Sequence, residues 1–285
     1  MRVGFLDTWL PRRYQPFWVP FVEELGARAL FPKEPFEKAL EYPAPEVGPL
    51  GRAVLSRVAE LKELGADRIV IPDAQLGVEA ERGSGACLWV RDLEAFVLYY
   101  LKGLPPLFKV PAELGEGTAA LAAELGARLG ATPPEVQLAL ERTRPRIAPP
   151  GPFRPEWARP EAPVGLAAPP YLLEEERVYM PLVEALAETG LTLASRAPAE
   201  LREEGERLGL RLKLPTDLEW AGAAHHLAIR HDVEVVLLFY EAECPGSARV
   251  ARWLGERLPK PVVVATTADD PEEVARRIKM SLGGD

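Results

Sequence analysis

The sequence predicts an α/β fold in two halves, each built on a parallel sheet, and three observations carry the prediction. The runs "DRIVIPD" and "VEVVLLFY" (Val233 to Tyr240) are nearly continuous in apolar, β-branched residues, as strands buried on both faces of a parallel sheet are. Such runs alternate with amphipathic stretches of helical length, the signature of βαβ units. Finally, "VGFLDTWLPRRYQPFWVPFVEEL" from Val3 can be laid on "VGLAAPPYLLEEERVYMPLVEAL" from Val164 at a constant offset. Val3-Gly4 then falls on Val164-Gly165 and Pro20 on Pro181. The stripe Phe17, Phe21, Val22 and Leu25 falls on Val178, Leu182, Val183 and Leu186. A strand, a polar loop and a helix that agree in phase read as an internal repeat. The expected architecture is two Rossmann-like domains with parallel sheets, facing each other across an interdomain cleft.

Taken in order, "ARALF" is a second strand, Arg52 to Leu64 a helix, "DRIVIPD" a third strand and "PPLFKVP" a fourth. The second half repeats the scheme with "LTLAS", helices near Pro198 to Leu208 and Trp220 to His231, "VEVVLLFY", a helix with the stripe Val250, Trp253 and Leu254, and "PVVVATT". Between the halves runs "PRIAPPGPFRPEWARPEAP", whose prolines favour an extended crossing. The expected domains are 1–144 and 164–285, with 145–163 as linker.

The chain has 285 residues, 47% hydrophobic and 27% charged, a globular balance with room for two cores. Its net charge of -9 argues against nucleic acid or an anionic membrane as main partner, since phosphate recognition relies on clustered Lys and Arg. The amino terminus lacks the features of a signal peptide and no apolar run reaches membrane-spanning length, so a cytoplasmic protein is expected. Asparagine is absent, only Gln15, Gln75 and Gln137 carry the glutamine amide, and there are 30 prolines, a composition that suits a thermophile.

The chemistry-bearing positions fall after strands, where open α/β sheets bind ligands. Cys244 follows "VEVVLLFY". Pro245 suits the first turn of a helix, and Gly246 lets another group approach the backbone, beside Ser247. Asp73 and Gln75 follow "DRIVIP", and Cys87 follows them. Glu241 and Glu243 are oxygen donors near Cys244. Arg12, Arg13 and Tyr14 lie in the loop after the first strand, with Tyr171 after its counterpart, and the guanidinium groups match phosphate geometry. Two thiolates are an incomplete donor set for zinc or an iron-sulfur cluster. Three readings of Cys87 and Cys244 stand open: metal ligands, a close pair or disulfide, or buried inert thiols. His225 and His226 are adjacent, a quarter-turn apart on a helix, and do not have the spacing of a metal pair.

The stretches "VGFLDTWLPRRYQPFWVPFVEELGA", "GADRIVIPD" with its cysteine loop, and "WAGAAHHLAIRHDVEVVLLFYEAECPGSARVARWL" resemble the 2-hydroxyacyl-CoA dehydratase family. They look most like its shorter, D-component-like members, relatives of the smaller subunits of 2-hydroxyglutaryl-CoA dehydratase and benzoyl-CoA reductase. The resemblance covers most of the chain apart from the linker and part of 113–142. It implies a lyase or reductase of two α/β domains, with a [4Fe-4S] cluster held by three cysteines of one subunit and an acyl-CoA thioester beside it. It also implies a homologous subunit and an ATP-dependent activator as partners. Cys87 matches the family's middle cysteine and Cys244 the last. The first should fall near Gly48, where this chain reads "EVGPLGRA". A non-enzymatic redox or iron-sulfur accessory protein, and a cluster-less degenerate subunit pairing with an active homologue, are the competing classes.

Overall fold

The computed structural model describes residues 1–44, 46–75, 88–115, 117–209 and 214–283, so Cys87 lies outside the described residues. The described residues form two compact units, one from the described residues of 1–75 and 88–150, the other from Gly151 onward.

In the first unit the order is β1 (Arg2–Phe5), α1 (Pro11–Glu24), β2 (Arg28–Leu30), α2 (Phe36–Leu40), α3 (Pro49–Glu63), β3 (Arg68–Asp73), α4 (Leu88–Arg91), α5 (Leu93–Tyr100), β4 (Leu107–Pro111), α6 (Thr118–Arg128) and α7 (Pro133–Thr143), closed by a 3₁₀ turn at Arg144–Arg146. The second unit runs β5 (Val164–Ala167), α8 (Pro170–Leu173), α9 (Glu176–Ala185), β6 (Leu191–Thr192), α10 (Pro198–Arg207), α11 (Pro215–Ile229), β7 (Val235–Tyr240), α12 (Pro245–Gly255), β8 (Val262–Thr266) and α13 (Pro271–Ser281).

Both sheets are wholly parallel and share one strand order, β2-β1-β3-β4 and β6-β5-β7-β8. Burial on both faces explains the unbroken apolar runs: Val235 to Phe239 are all buried. Of the residues matched between the halves, Val3 lies in β1 and Val164 in β5, and Pro20 and Pro181 stand inside α1 and α9. Gly4 in β1 and Gly165 in β5 meet a similar steric limit. A Cβ on Gly4 would meet Leu61 of α3 at 3.1 Å, and one on Gly165 would meet Leu227 of α11 at 3.0 Å.

The first core joins α1, α6 and α7 to the sheet through Phe17, Trp18, Phe21, Phe108 and Val136. Each such side chain contributes roughly 1.5–3 kcal/mol on burial. That packing carries α1 through Pro16 and Pro20, which each remove a helix hydrogen bond. The second core is built by α11 and α12, where Trp220, Leu227, Val250 and Leu254 meet Val236 and Leu238. Helix α11 is buried on nearly every side, so it shows no polar face. It ends at Ile229, which leaves His231 beyond the helix. The proline-rich segment has no regular structure after Arg146. Its Trp157 meets Tyr179 edge-on at 5.8 Å, and its Arg159 amide donates to the Leu191 carbonyl at 2.8 Å. Among the described residues no helix is long and apolar enough to cross a membrane.

Candidate functional site

In sheets of this order the chain leaves β5 toward β6 on one side, while β7 leads to β8 on the other. The loops therefore part at the carboxyl ends of β5 and β7, the point at which sheets of this kind bind ligands. Tyr171, in the single turn α8, follows β5. Glu241, Cys244 and Ser247 follow β7. Asp217 belongs to the first turn of α11, and a crossover helix runs back antiparallel to the strands, so its amino end starts at this same edge. Three separate stretches of chain thus supply one polar cluster beneath the surface.

Cys244 is 1% exposed and caps α12. Its amide donates to the Glu241 carbonyl at 3.0 Å, and its carbonyl accepts from Ala248 at 3.1 Å. Pro245 opens the helix because its missing N–H would have had no partner there. One turn on, Ser247 Oγ donates to Cys244 Sγ at 3.2 Å, and Ser247 also sits beside the Tyr171 hydroxyl. Glu241 is buried, while Glu243 is exposed. Burial raises Tyr171 well above the usual tyrosine range, and Cys244, Asp217 and Glu241 add to the rise while Ser247 opposes it. Burial likewise pushes the Asp217 carboxyl up to about 7, with Cys244 adding and Arg249 opposing. A carboxyl that exchanges its proton near neutrality beside a thiol is suited to general acid–base work.

Asp217 was not legible as a site residue, because an acid in a helix's first turn reads as a partner of the helix dipole. Only its burial sets it apart. Gly246 is buried in the first turn of α12.

The first unit builds a comparable edge with different contents. Arg12, Arg13 and Tyr14 stand in the first turn of α1 rather than in a loop, since Pro11 starts the helix immediately after Leu10. Arg13 pairs with Glu113 at 2.9 Å, and the buried Tyr14 hydroxyl donates to the Leu6 carbonyl at 3.0 Å. Burial raises Tyr14 far above its ordinary range. Past β3, the Gln75 amide donates to Asp73 Oδ1 at 2.9 Å, and its side-chain nitrogen to the Val90 carbonyl at 2.5 Å. Trp9 and Leu10 both hold left-handed backbone at φ 62, a conformation costing of order 1–3 kcal/mol each in non-glycine residues. Asp73, Gln75, Arg13 and Tyr14 are thus tied into their own unit. In the second unit, His225 meets Glu204 through Nδ1 at 2.6 Å, and burial lowers His226.

Among the described residues no group of three or more His, Cys, Asp or Glu side chains comes together as a metal ion requires. Gly48, where the resemblance expects a thiolate, caps α3 ahead of Pro49. Cys244 is the one cysteine among the described residues, so the described donors do not by themselves fit an iron-sulfur cluster. Compared with known families and with curated proteins, the chain matches no family model and no curated sequence.

Proposed function

We propose that this chain is a cytoplasmic 2-hydroxyacyl-CoA dehydratase-like protein that takes an acyl-CoA-like ligand at the carboxyl edge of its second sheet. The observation that supports this best is the convergence of Tyr171, Asp217, Cys244 and Ser247 at the parting of β5 and β7. In this reading Cys244 and Ser247 line the ligand site, and Asp217 holds or releases a proton there. Any iron-sulfur cluster would need Cys87 and at least one donor from outside the described residues or from another chain.

Anaerobic purification followed by iron, sulfide and visible-absorption measurements, with parallel titration by acetyl-CoA, tests the proposal. Iron and sulfide in stoichiometric amounts, lost in both Cys87→Ser and Cys244→Ser, support the cluster form. Colourless protein that binds acetyl-CoA, and binds it more weakly after Asp217→Ala, supports the ligand site alone. Protein with neither property overturns the proposal. A second reading, a cluster-less subunit that pairs with an active homologue, draws on the incomplete set of described donors. Stable co-purification with a three-cysteine homologue is its test.

A further inference from the structure

The second unit carries another cavity, of about 640 Å³, between the proline-rich segment and β6. It is independent of the cluster around Cys244, and it arises from how the edge of the sheet is covered. β6 is an outer strand, and the segment from Phe153 to Glu161 lies along it. This covering is held by the Arg159 amide on the Leu191 carbonyl at 2.8 Å, by Thr192 Oγ1 on the Pro160 carbonyl at 3.3 Å, and by Arg230. The prolines leave few backbone donors with which to continue the pairing, so the segment stands off the strand beyond these contacts. A space of this volume is in the range of small-molecule sites.

Its lining sorts by chemistry. Phe153, Pro155 and Leu193 give apolar surface. Three arginines, Arg154, Arg159 and Arg230, and two acids, Glu161 and Asp232, complete the lining. The carboxylate of Asp232 is bound to Arg230, which also donates from Nη1 to Thr192 Oγ1 and to the Leu193 carbonyl, both at 3.2 Å. Arg230 is therefore a fixed wall. Arg154 and Arg159 make no side-chain ion pair among the described residues, and both are exposed at the cavity's rim. The lining keeps one positive charge in excess within a chain whose net charge is -9. Guanidinium groups that the protein leaves without carboxylates, beside an apolar hollow, suit a ligand with one anionic end and a hydrocarbon body. A single excess charge matches a monoanion better than a dianion.

We propose that this cavity is a binding site for a small organic monocarboxylate, with Arg154 and Arg159 taking the carboxylate and Phe153, Pro155 and Leu193 taking the hydrocarbon. Calorimetric titration of the full chain with hexanoate, hexanol and inorganic phosphate tests it. Hexanoate should bind at least about tenfold more tightly than either hexanol or phosphate, in line with the strength of charge-assisted hydrogen bonds. The Arg154→Ala/Arg159→Ala variant should lose about tenfold in hexanoate affinity, with its thermal midpoint unchanged in the absence of hexanoate. Leu193→Glu, which sets a carboxylate against the apolar wall, should weaken hexanoate binding in protein shown to be folded by its thermal transition. Equal binding of hexanol and hexanoate, equal or tighter binding of phosphate, or undiminished hexanoate binding in the double-arginine variant would each overturn the assignment.

Discussion

Ser247 Oγ donates a hydrogen bond to Cys244 Sγ at 3.2 Å, across one turn of a helix that Cys244 itself caps. The contact fixes the thiol beneath the surface, between the ends of β5 and β7. Native Cys244 should therefore resist alkylation. In a Cys87→Ala background, maleimide should modify it roughly a hundredfold more slowly in native protein than in urea-unfolded protein, because reaction waits on local opening. Equal rates would refute the burial.

Asp217 gives the second unit a pH dependence of definite sign. Its folded-state pKa, about 7, lies above its ordinary value of 3.8, so between those values the native state keeps a proton that the unfolded chain releases. The stabilisation is complete below about pH 4 and is lost as pH rises through about 7, by at most about 4 kcal/mol. Asp217→Asn should flatten this slope. Thermal midpoints of both proteins at pH 5 and pH 8 check it: the variant should gain on the native protein at the higher pH, and a difference independent of pH would refute the buried acid.

Helices α10 and α11 touch through glycines. A Cβ on Gly222 would lie 1.8 Å from the Leu201 carbonyl oxygen, and one on Gly205 would lie 2.1 Å from that of Leu218. Both obstacles are backbone and cannot swing away. Gly222→Ala should destabilise by about 3 kcal/mol or more, read from denaturant unfolding, whereas Gly255→Ala, whose Cβ would make only an ordinary contact with Val262 Cγ1 at 4.0 Å, should cost under about 1 kcal/mol.

Arg57 is 1% exposed, with Asp7 at 2.9 Å, Glu60 at 3.2 Å and the Glu34 carbonyl at 2.8 Å, over the ring of Phe36. Arg57→Ala strips the acids of their cation and the ring of its cover, and should cost about 3 kcal/mol. Arg57→Met keeps the packing and should cost less. Urea titration of the two variants separates charge from volume, and equal losses would assign the whole effect to charge.

Much of the fold was legible because a strand's burial state is written in its own residues. "VEVVLLFY" and "DRIVIPD" admit few polar side chains on either face, so they announce central strands of parallel sheets. The edge strands were less so: "LTLAS" reads as five residues of strand, and only Leu191–Thr192 pair, because β6 has a strand on one side alone. The break between loop and helix near Arg12 was also missed, since Pro11 starts α1 after two left-handed residues that no local signal requires.

The sequence by itself determined the α/β class, the alternation of strand and helix in both halves, and the placing of Glu241, Cys244 and Ser247 just past a buried strand. Each of these follows from local pattern: period, turn residues and apolar content. Tertiary structure alone decided that Asp217, Tyr171 and Cys244 share one buried cluster, that Tyr14 and Arg13 are bound within their own unit, and that a cavity opens beside β6. Those outcomes depend on which strand ends the crossovers bring together and on how much water is left around each group. Strand order and desolvation belong to the assembled sheet and have no counterpart in any single stretch of chain.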